Sequence, residues 1–289
     1  MIEGKFLGKQ VEYPKQYAPE MLVAVPRHLN REQYGLNEKQ LPFIGYDTWH
    51  AYELSFLTQK GLPVTGLLKI VYPATNASIV ESKSLKLYLN SFNMHRFGNT
   101  ANEGLEEVIS TINGDLNKLL NTEVKVGFFN ESDDDGSFDF TNYQTLEALP
   151  FVDDISFSDF NETPQLLQTS EESGQLRVAT HLLRSNCKIT NQPDWGSAYI
   201  FMNGAKLPET KSLLQYLVSI RNENHFHEEI CEMIYKRLWD IFQPDQLAVS
   251  CIYTRRGGID ICPVRVSHTE LLPAHLLNPM RLTKKLMRQ

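Results

Sequence analysis

Two apolar runs, Gln246 to Thr254 and Ile259 to Val266, flank the tetrapeptide Arg255-Arg256-Gly257-Gly258. That pattern predicts an antiparallel hairpin, because strand-type residues on either side of a glycine-bearing turn fold back on one another. Residues 64 to 72 and 123 to 129 read as further strands. So do Ser84 to Phe92, where Leu85, Leu87 and Leu89 alternate with Lys86, Tyr88 and Asn90. Leu105, Val108, Ile109, Ile112, Leu116, Leu119 and Leu120 recur at helical spacing. In the second half, 177 to 184 and 197 to 203 read as strands, and Pro208 to Arg221 and Phe226 to Phe242 as helices. Each half therefore runs strands, helix or helices, then strands, without a close sequence repeat. The first 60 residues read as loop-rich, anchored by Pro26, Pro42, Phe43, Trp49 and Tyr52.

The expected class is α+β, with antiparallel sheet and helices grouped on one face. Two tandem modules are expected, residues 1–140 and 141–289. The acidic stretch Glu131-Ser132-Asp133-Asp134-Asp135-Gly136-Ser137 reads as a solvated loop or module boundary.

The chain has 289 residues, enough for one large domain or two ordinary ones. Its net charge of −7 argues against a general nucleic-acid binder, since phosphate attraction needs a basic surface. Local basic clusters can still hold a small phosphorylated ligand. The Met1 region shows no charged-then-apolar leader and no run of 18 apolar residues occurs, so the cytoplasm is the expected compartment. The four cysteines, Cys187, Cys231, Cys251 and Cys262, form no Cys-x-x-Cys pair and resemble no zinc module, so no metal is expected. Cys231 lies in an apolar helical pattern and Cys251 in an apolar strand run, the setting of inert buried thiols.

Cys187 differs. It lies in the polar segment Ser185-Asn186-Cys187-Lys188-Ile189-Thr190-Asn191-Gln192-Pro193-Asp194-Trp195-Gly196, seven residues before an acid. A thiol attacks only as thiolate and needs a neighbour to take or return its proton. Pro193 and Trp195 are expected to fold Asp194 back towards the sulfur, although spacing alone leaves a structural cysteine open. Val80-Glu81-Ser82-Lys83-Ser84-Leu85-Lys86 suits phosphate binding or a charged solvent face. Phe226-His227-Glu228 opens a helix, where Glu228 can accept donors from a planar heterocycle or simply belong to a solvated helix start. The arginines and glycines of Tyr253 to Gly258 suit phosphate recognition or an ordinary turn.

Taken in order, these four blocks resemble the NADPH-dependent 7-cyano-7-deazaguanine reductases, the nitrile reductases of queuosine biosynthesis, in their long two-module branch. The similarity also takes in Leu22 to Arg27, Leu41 to Leu57 and Ser212 to Arg221. It implies a tunnelling fold, in which modules pair their antiparallel sheets into a barrel with helices outside, and a homodimer. It also implies a reaction in which two NADPH convert a nitrile to an aminomethyl group through a covalent cysteine thioimide. The resemblance makes Cys187 the nucleophile and Asp194 the general acid/base. It gives Val80, Glu81, Ser82, His227 and Glu228 to a deazaguanine substrate, and Ser82, Lys83, Arg256 and Gly257 to NADPH. No nucleic acid or membrane partner is implied. The lack of a Gly-x-Gly-x-x-Gly block after a strand fits a cofactor site that is not Rossmann-like.

Cys262 stands where the family more often has asparagine, and Val266 interrupts its usual Arg-Ser pair. This weakens any role for Arg265, and Cys262 is expected to be a structural thiol. Two rivals stand beside this reading. One is a zinc hydrolase of the same fold, like the GTP cyclohydrolases. The other is a non-catalytic purine- or pterin-binding module.

Overall fold

The computed structural model describes residues 13–133 and 136–289; the Met1 region, with residues 1–12, and Asp134-Asp135 of the acidic stretch lie outside them. The first half contains β1 (Ala24–Pro26), α1 (His28–Gln33), β2 (Ile44–Leu57), β3 (Pro63–Pro73), β4 (Ser78–Val80), α2 (Ser82–Asn90), α3 (Ala101–Leu120) and β5 (Lys125–Phe129). The second contains β6 (Gln144–Thr145), β7 (Gly174–Cys187), β8 (Pro193–Gly204), α4 (Thr210–Ser219), β9 (Asn224–His225), α5 (His227–Phe242), β10 (Gln246–Tyr253), β11 (Ile259–Val266) and α6 (Ala274–Leu277).

One sheet runs through both halves in the order β5-β3-β2-β11-β10-β8-β7-β6, with β9 also paired to β7. Apart from the short parallel pairings of β6 and β9 with β7, its neighbours are antiparallel. The hairpin expected at Arg255 to Gly258 is β10–β11, and its second strand joins β2 with Asp260 opposite His50 and Ile261 opposite Trp49. β1 and β4 form a separate two-stranded ribbon.

Because side chains alternate along a strand, this register sorts residues onto two faces. Trp49, Ile70, Ile259 and Ile261 meet Leu85, Tyr88, Val108, Ile112 and Leu116 of α2 and α3. Ile200, Val249 and Cys251 meet Leu213, Leu217, Ile230 and Ile234 of α4 and α5. The four longer helices thus share one face, as expected. On the other, Tyr199, Cys262, Val264 and Val266 pack with Phe140 and Leu276. No helix among the described residues is long and apolar enough to cross a membrane.

Two expectations are corrected. Ser84 to Phe92 is helical, not a strand: Leu85, Tyr88, Leu89 and Phe92 fall at i, i+3, i+4 and i+7 and are all buried. Glu81 starts that helix, its carboxylate accepting the Ser84 N–H at 2.9 Å. Among residues 13–60, the loop-rich expectation fails over Ile44–Leu57, the 14-residue β2. Buried Asp47, Thr48 and His50 interrupt its apolar alternation, and a register shift between Ala51 and Leu54 breaks what remains.

Candidate active site

The turn between β7 and β8 sets the geometry. Cys187 ends β7 and donates its N–H to the Gln192 carbonyl at 2.8 Å, while Asn191, at φ +56°, donates to the Cys187 carbonyl at 3.0 Å. Beyond the turn, Asn186 pairs with Pro193 and Ser185 with Asp194. With a side-chain period of two, Cys187 and Asp194 stand on the same face, diagonal to each other across the ladder. The Lys188–Gln192 turn, rather than Pro193 and Trp195, returns the acid to the thiol. Trp195 belongs to the opposite face, 36% exposed, with the Arg221 and Arg184 guanidiniums 5.1 and 5.8 Å from its ring centre.

That face opens on a cleft of about 400 Å³. The first half contributes Trp49, Ile79, Val80, Ser82, Lys83 and Lys86 to its walls. Cys187, Thr190, Gln192 and Asp194 come from the β7–β8 turn and its flanks, His225 from β9, Phe226 to Glu228 from the start of α5, and Arg256, Gly257, Ile259 and Ile261 from the β10–β11 hairpin. Of the site residues named from sequence, Val80, Ser82, Lys83, Cys187, Asp194, His227, Glu228, Arg256 and Gly257 line the cleft together. Glu81 does not; it is buried at the head of α2, orienting Ser82 and Lys83.

The charges are arranged unequally. Asp194 is buried, ion-paired through Oδ1 with Arg256, and its Oδ2 lies 3.5 Å from His227 Nε2. That is a charge-pair distance rather than an aligned hydrogen bond, and the Nε2 has no hydrogen-bond partner. Burial pushes the Asp194 carboxyl up, but His227 and Arg256 outweigh it and hold the group below its ordinary value. Arg256 also bonds Gln192. Glu228 behaves oppositely: burial, then the charge of Asp47, pushes its carboxyl up to about 8. The His227 ring lies 4.0 Å from that of Tyr253.

Trp49 Nε1, Thr190 Oγ1, His227 Nε2 and Glu228 Oε1 are buried polar atoms without hydrogen-bond partners, and all four belong to cleft residues. Such atoms cost free energy unless a ligand meets them. They fit a planar heterocycle carrying both donors and acceptors. Three cations of the lining, Lys83, Lys86 and Arg256, suit a phosphate-bearing cofactor. Gly257, beside Arg256, has φ +57°, and a Cβ there would lie 3.2 Å from Lys86 Nζ.

Sequence reading missed Trp49, Thr190, Gln192 and His225. Trp49 lay in the segment read as loop, and the two turn residues carry no signal beyond nearness to Cys187. His225, two positions before His227, is held by Tyr34 and Glu229 at 3.2 Å each. Cys231, Cys251 and Cys262 are fully buried free thiols. Hydrogen bonding to Cys231 and burial push Cys251 up; burial and Asp260 push Cys262 up, which suits inert structural sulfur. Among the described residues, His50, Asp260 and Cys262 are the one trio close enough to share a metal ion. They stand on the face away from the cleft, with Lys285 Nζ 3.0 Å from Asp260, so the carboxylate is already neutralised. That donor set does not favour the zinc-hydrolase reading.

A buried thiol diagonal to a carboxylate, beside an unpartnered carboxyl oxygen and three cationic side chains, fits covalent-thiol chemistry on an α+β scaffold. Residues 13–128 match the family described as "Nitrile reductase, 7-cyano-7-deazaguanine-reductase N-term", and residues 193–271 match "QueF-like protein". A protein of Colwellia psychrerythraea named NADPH-dependent 7-cyano-7-deazaguanine reductase is 43% identical over 92% of this chain and 93% of its own. Proteins of the same name from Coxiella burnetii and Delftia acidovorans are 42% and 38% identical, covering 91% and 95% of this chain and 91% and 97% of theirs. The chain belongs to the NADPH-dependent 7-cyano-7-deazaguanine reductase family. A solved structure, the apo form of the archaeosine synthase QueF-Like, overlaps 34% of this chain and 98% of its own at TM-score 0.31 and 14% identity, too slight a likeness to bear on the fold.

Proposed function

We propose that this chain reduces the nitrile of 7-cyano-7-deazaguanine to the aminomethyl group of 7-aminomethyl-7-deazaguanine, using NADPH, in queuosine biosynthesis. The observation that carries the reading is the diagonal Cys187–Asp194 pair opening on the cleft that holds unpartnered Glu228. The relatives' shared name supports it.

A nitrile accepts hydride poorly, and covalent catalysis divides that step. Asp194, kept ionised by His227 and Arg256, takes the Cys187 thiol proton. The sulfur forms a bond to the nitrile carbon, a carbon–nitrogen π pair moves to nitrogen, and Asp194 returns the proton there, leaving a thioimide. NADPH supplies two hydrides, one per cofactor molecule, to carry the carbon to the amine. After the first hydride the nitrogen takes a second proton from solvent; the C–S bond then breaks, Cys187 leaving as thiolate, and the second hydride reduces the resulting iminium to the amine. Glu228 accepts the ring and amino N–H groups of the deazaguanine, with His227, Val80 and Ser82 on its other edge, while Glu81 holds the start of α2 behind them. Ser82, Lys83, Arg256 and Gly257 hold the cofactor, with Lys86 added by the geometry.

The reading extends to two sequence modules, 1–140 and 141–289, that share one sheet, to a cytoplasmic location, and to a homodimer without nucleic acid or membrane partners. An open sheet ending at β5 and the two-residue β6 supports the dimer, since exposed edges favour pairing with a second copy. The test is NADPH absorbance at saturating nitrile. Two cofactors consumed per substrate, and none in Cys187→Ala, is the expected result. Tight substrate binding without consumption by the folded wild type would instead leave a purine-binding module.

A further inference from the structure

Behind Glu228, on the helix-covered side of the sheet, five buried charged side chains interlock. Asp47 on β2 pairs with Arg27 at 2.5 Å and with Arg265 of β11 at 2.9 Å. Glu232 on α5 pairs with Arg265 at 2.9 Å and with Arg31 of α1 at 2.8 Å, and Arg27 lies 3.9 Å away. None of the five is more than 5% exposed. The third guanidinium, Arg31, also meets the exposed Glu38 carboxylate at 3.6 Å, so the cluster is close to charge balance. Glu228 precedes Glu232 by one helical turn on the same side of α5, 2% exposed, with Oε1 unpartnered. The buried hydroxyl of Tyr72 on β3 also feels its charge. Asp47 opposes ionisation of Glu228, whereas Arg27 and Arg265 favour it.

We propose that this arginine–carboxylate network positions Glu228 and poises its charge, so that binding of the deazaguanine expels one proton from its carboxyl to solvent. The inference rests on the proposed function, in which Glu228 is the acceptor for the substrate's N–H groups. A neutral carboxyl spends one oxygen as an O–H donor and can serve only one of them. Two incoming N–H donors add to the pull of Arg27 and Arg265 and tip the group to carboxylate. The five network residues come from both halves of the chain, so the poise exists only when the halves are joined. Asp47 and Arg265 are positioning residues here, since neither lines the cleft.

The test is calorimetric titration of 7-cyano-7-deazaguanine into Cys187→Ala protein, which cannot form the thioimide, in two buffers of different protonation enthalpy. Close to one proton released per site at pH 7, fading towards pH 9, is expected. Affinity at pH 7 should be about tenfold below its plateau. Asp47→Asn should shift that profile to lower pH, whereas a merely structural role would weaken binding without moving its midpoint. Should Asp47→Asn fail to fold, the Cys187→Ala titration decides alone. Binding with no proton release at pH 7, in protein whose affinity Glu228→Gln destroys, would overturn the inference and leave the function standing. Undiminished binding by Glu228→Gln would overturn the assignment of Glu228 and the inference with it.

Discussion

Asp194 shows how neighbours set the charge of one buried carboxylate. Arg256 and His227 keep it ionised, and the turn register sets it diagonal to the thiol. Asp194→Asn should slow thioimide formation by about 10²–10⁴-fold, read by stopped-flow absorbance; an unchanged rate would remove it from proton transfer. Cys262, on the opposite face, should tolerate Cys262→Ser with turnover retained, and lost turnover in a folded variant would contradict its structural assignment. His50 lies 2.7 Å from Asp260, yet burial and Lys285 lower its pKa from 6.5 to about 4. A base depressed in the folded state contributes stability that is complete above about pH 6.5 and lost as pH falls towards 4. That loss amounts to roughly 3 kcal/mol. His50→Gln should flatten this acid limb of the denaturation profile, and an unaltered limb would refute the assignment.

Elements differ in how openly their sequence declares them. β10 and β11 were legible because their runs are mostly apolar and rich in β-branched residues, and the Gly257-Gly258 turn punctuates them. α3 was legible because a solvated helix keeps an uninterrupted apolar stripe. α2 was not, because Leu85, Leu87 and Leu89 alternate as a strand would while Leu85, Tyr88, Leu89 and Phe92 fit a helix, and the deciding signal is the Glu81 cap. β2 was hidden by the charges it buries: Asp47 and His50 look like surface residues until their partners arrive, Arg265 and Asp260 of β11 and Arg27 ahead of α1. The same distinction governs the cleft. Motif-bearing side chains were found, while Trp49 and Thr190 entered through tertiary folding alone. Glu81→Ala should cost about 1 kcal/mol through the lost cap, measurable as a lowered midpoint of thermal unfolding. A stability equal to wild type would mean that α2 does not depend on it.

At the scale of the whole molecule, the β2–β11 ladder and the buried ion network bind the halves into one unit. Arg265→Leu leaves Asp47 and Glu232 facing a reduced positive charge and should destabilise by 3–5 kcal/mol in chemical denaturation; a loss below 1 kcal/mol would show the network to be energetically idle (~3–5 kcal/mol for a broken buried pair). Residues 141–289 expressed alone should fail to unfold cooperatively, because β11 then loses the neighbour that covers its outer edge. The ladder also has a consequence during synthesis. His50 and its partner Asp260 are 210 positions apart, so β2 leaves the ribosome long before its central neighbour exists. Until then the nascent first half carries an unsatisfied sheet edge, and the growing chain depends on chaperones or on delayed closure to keep that edge from the wrong company.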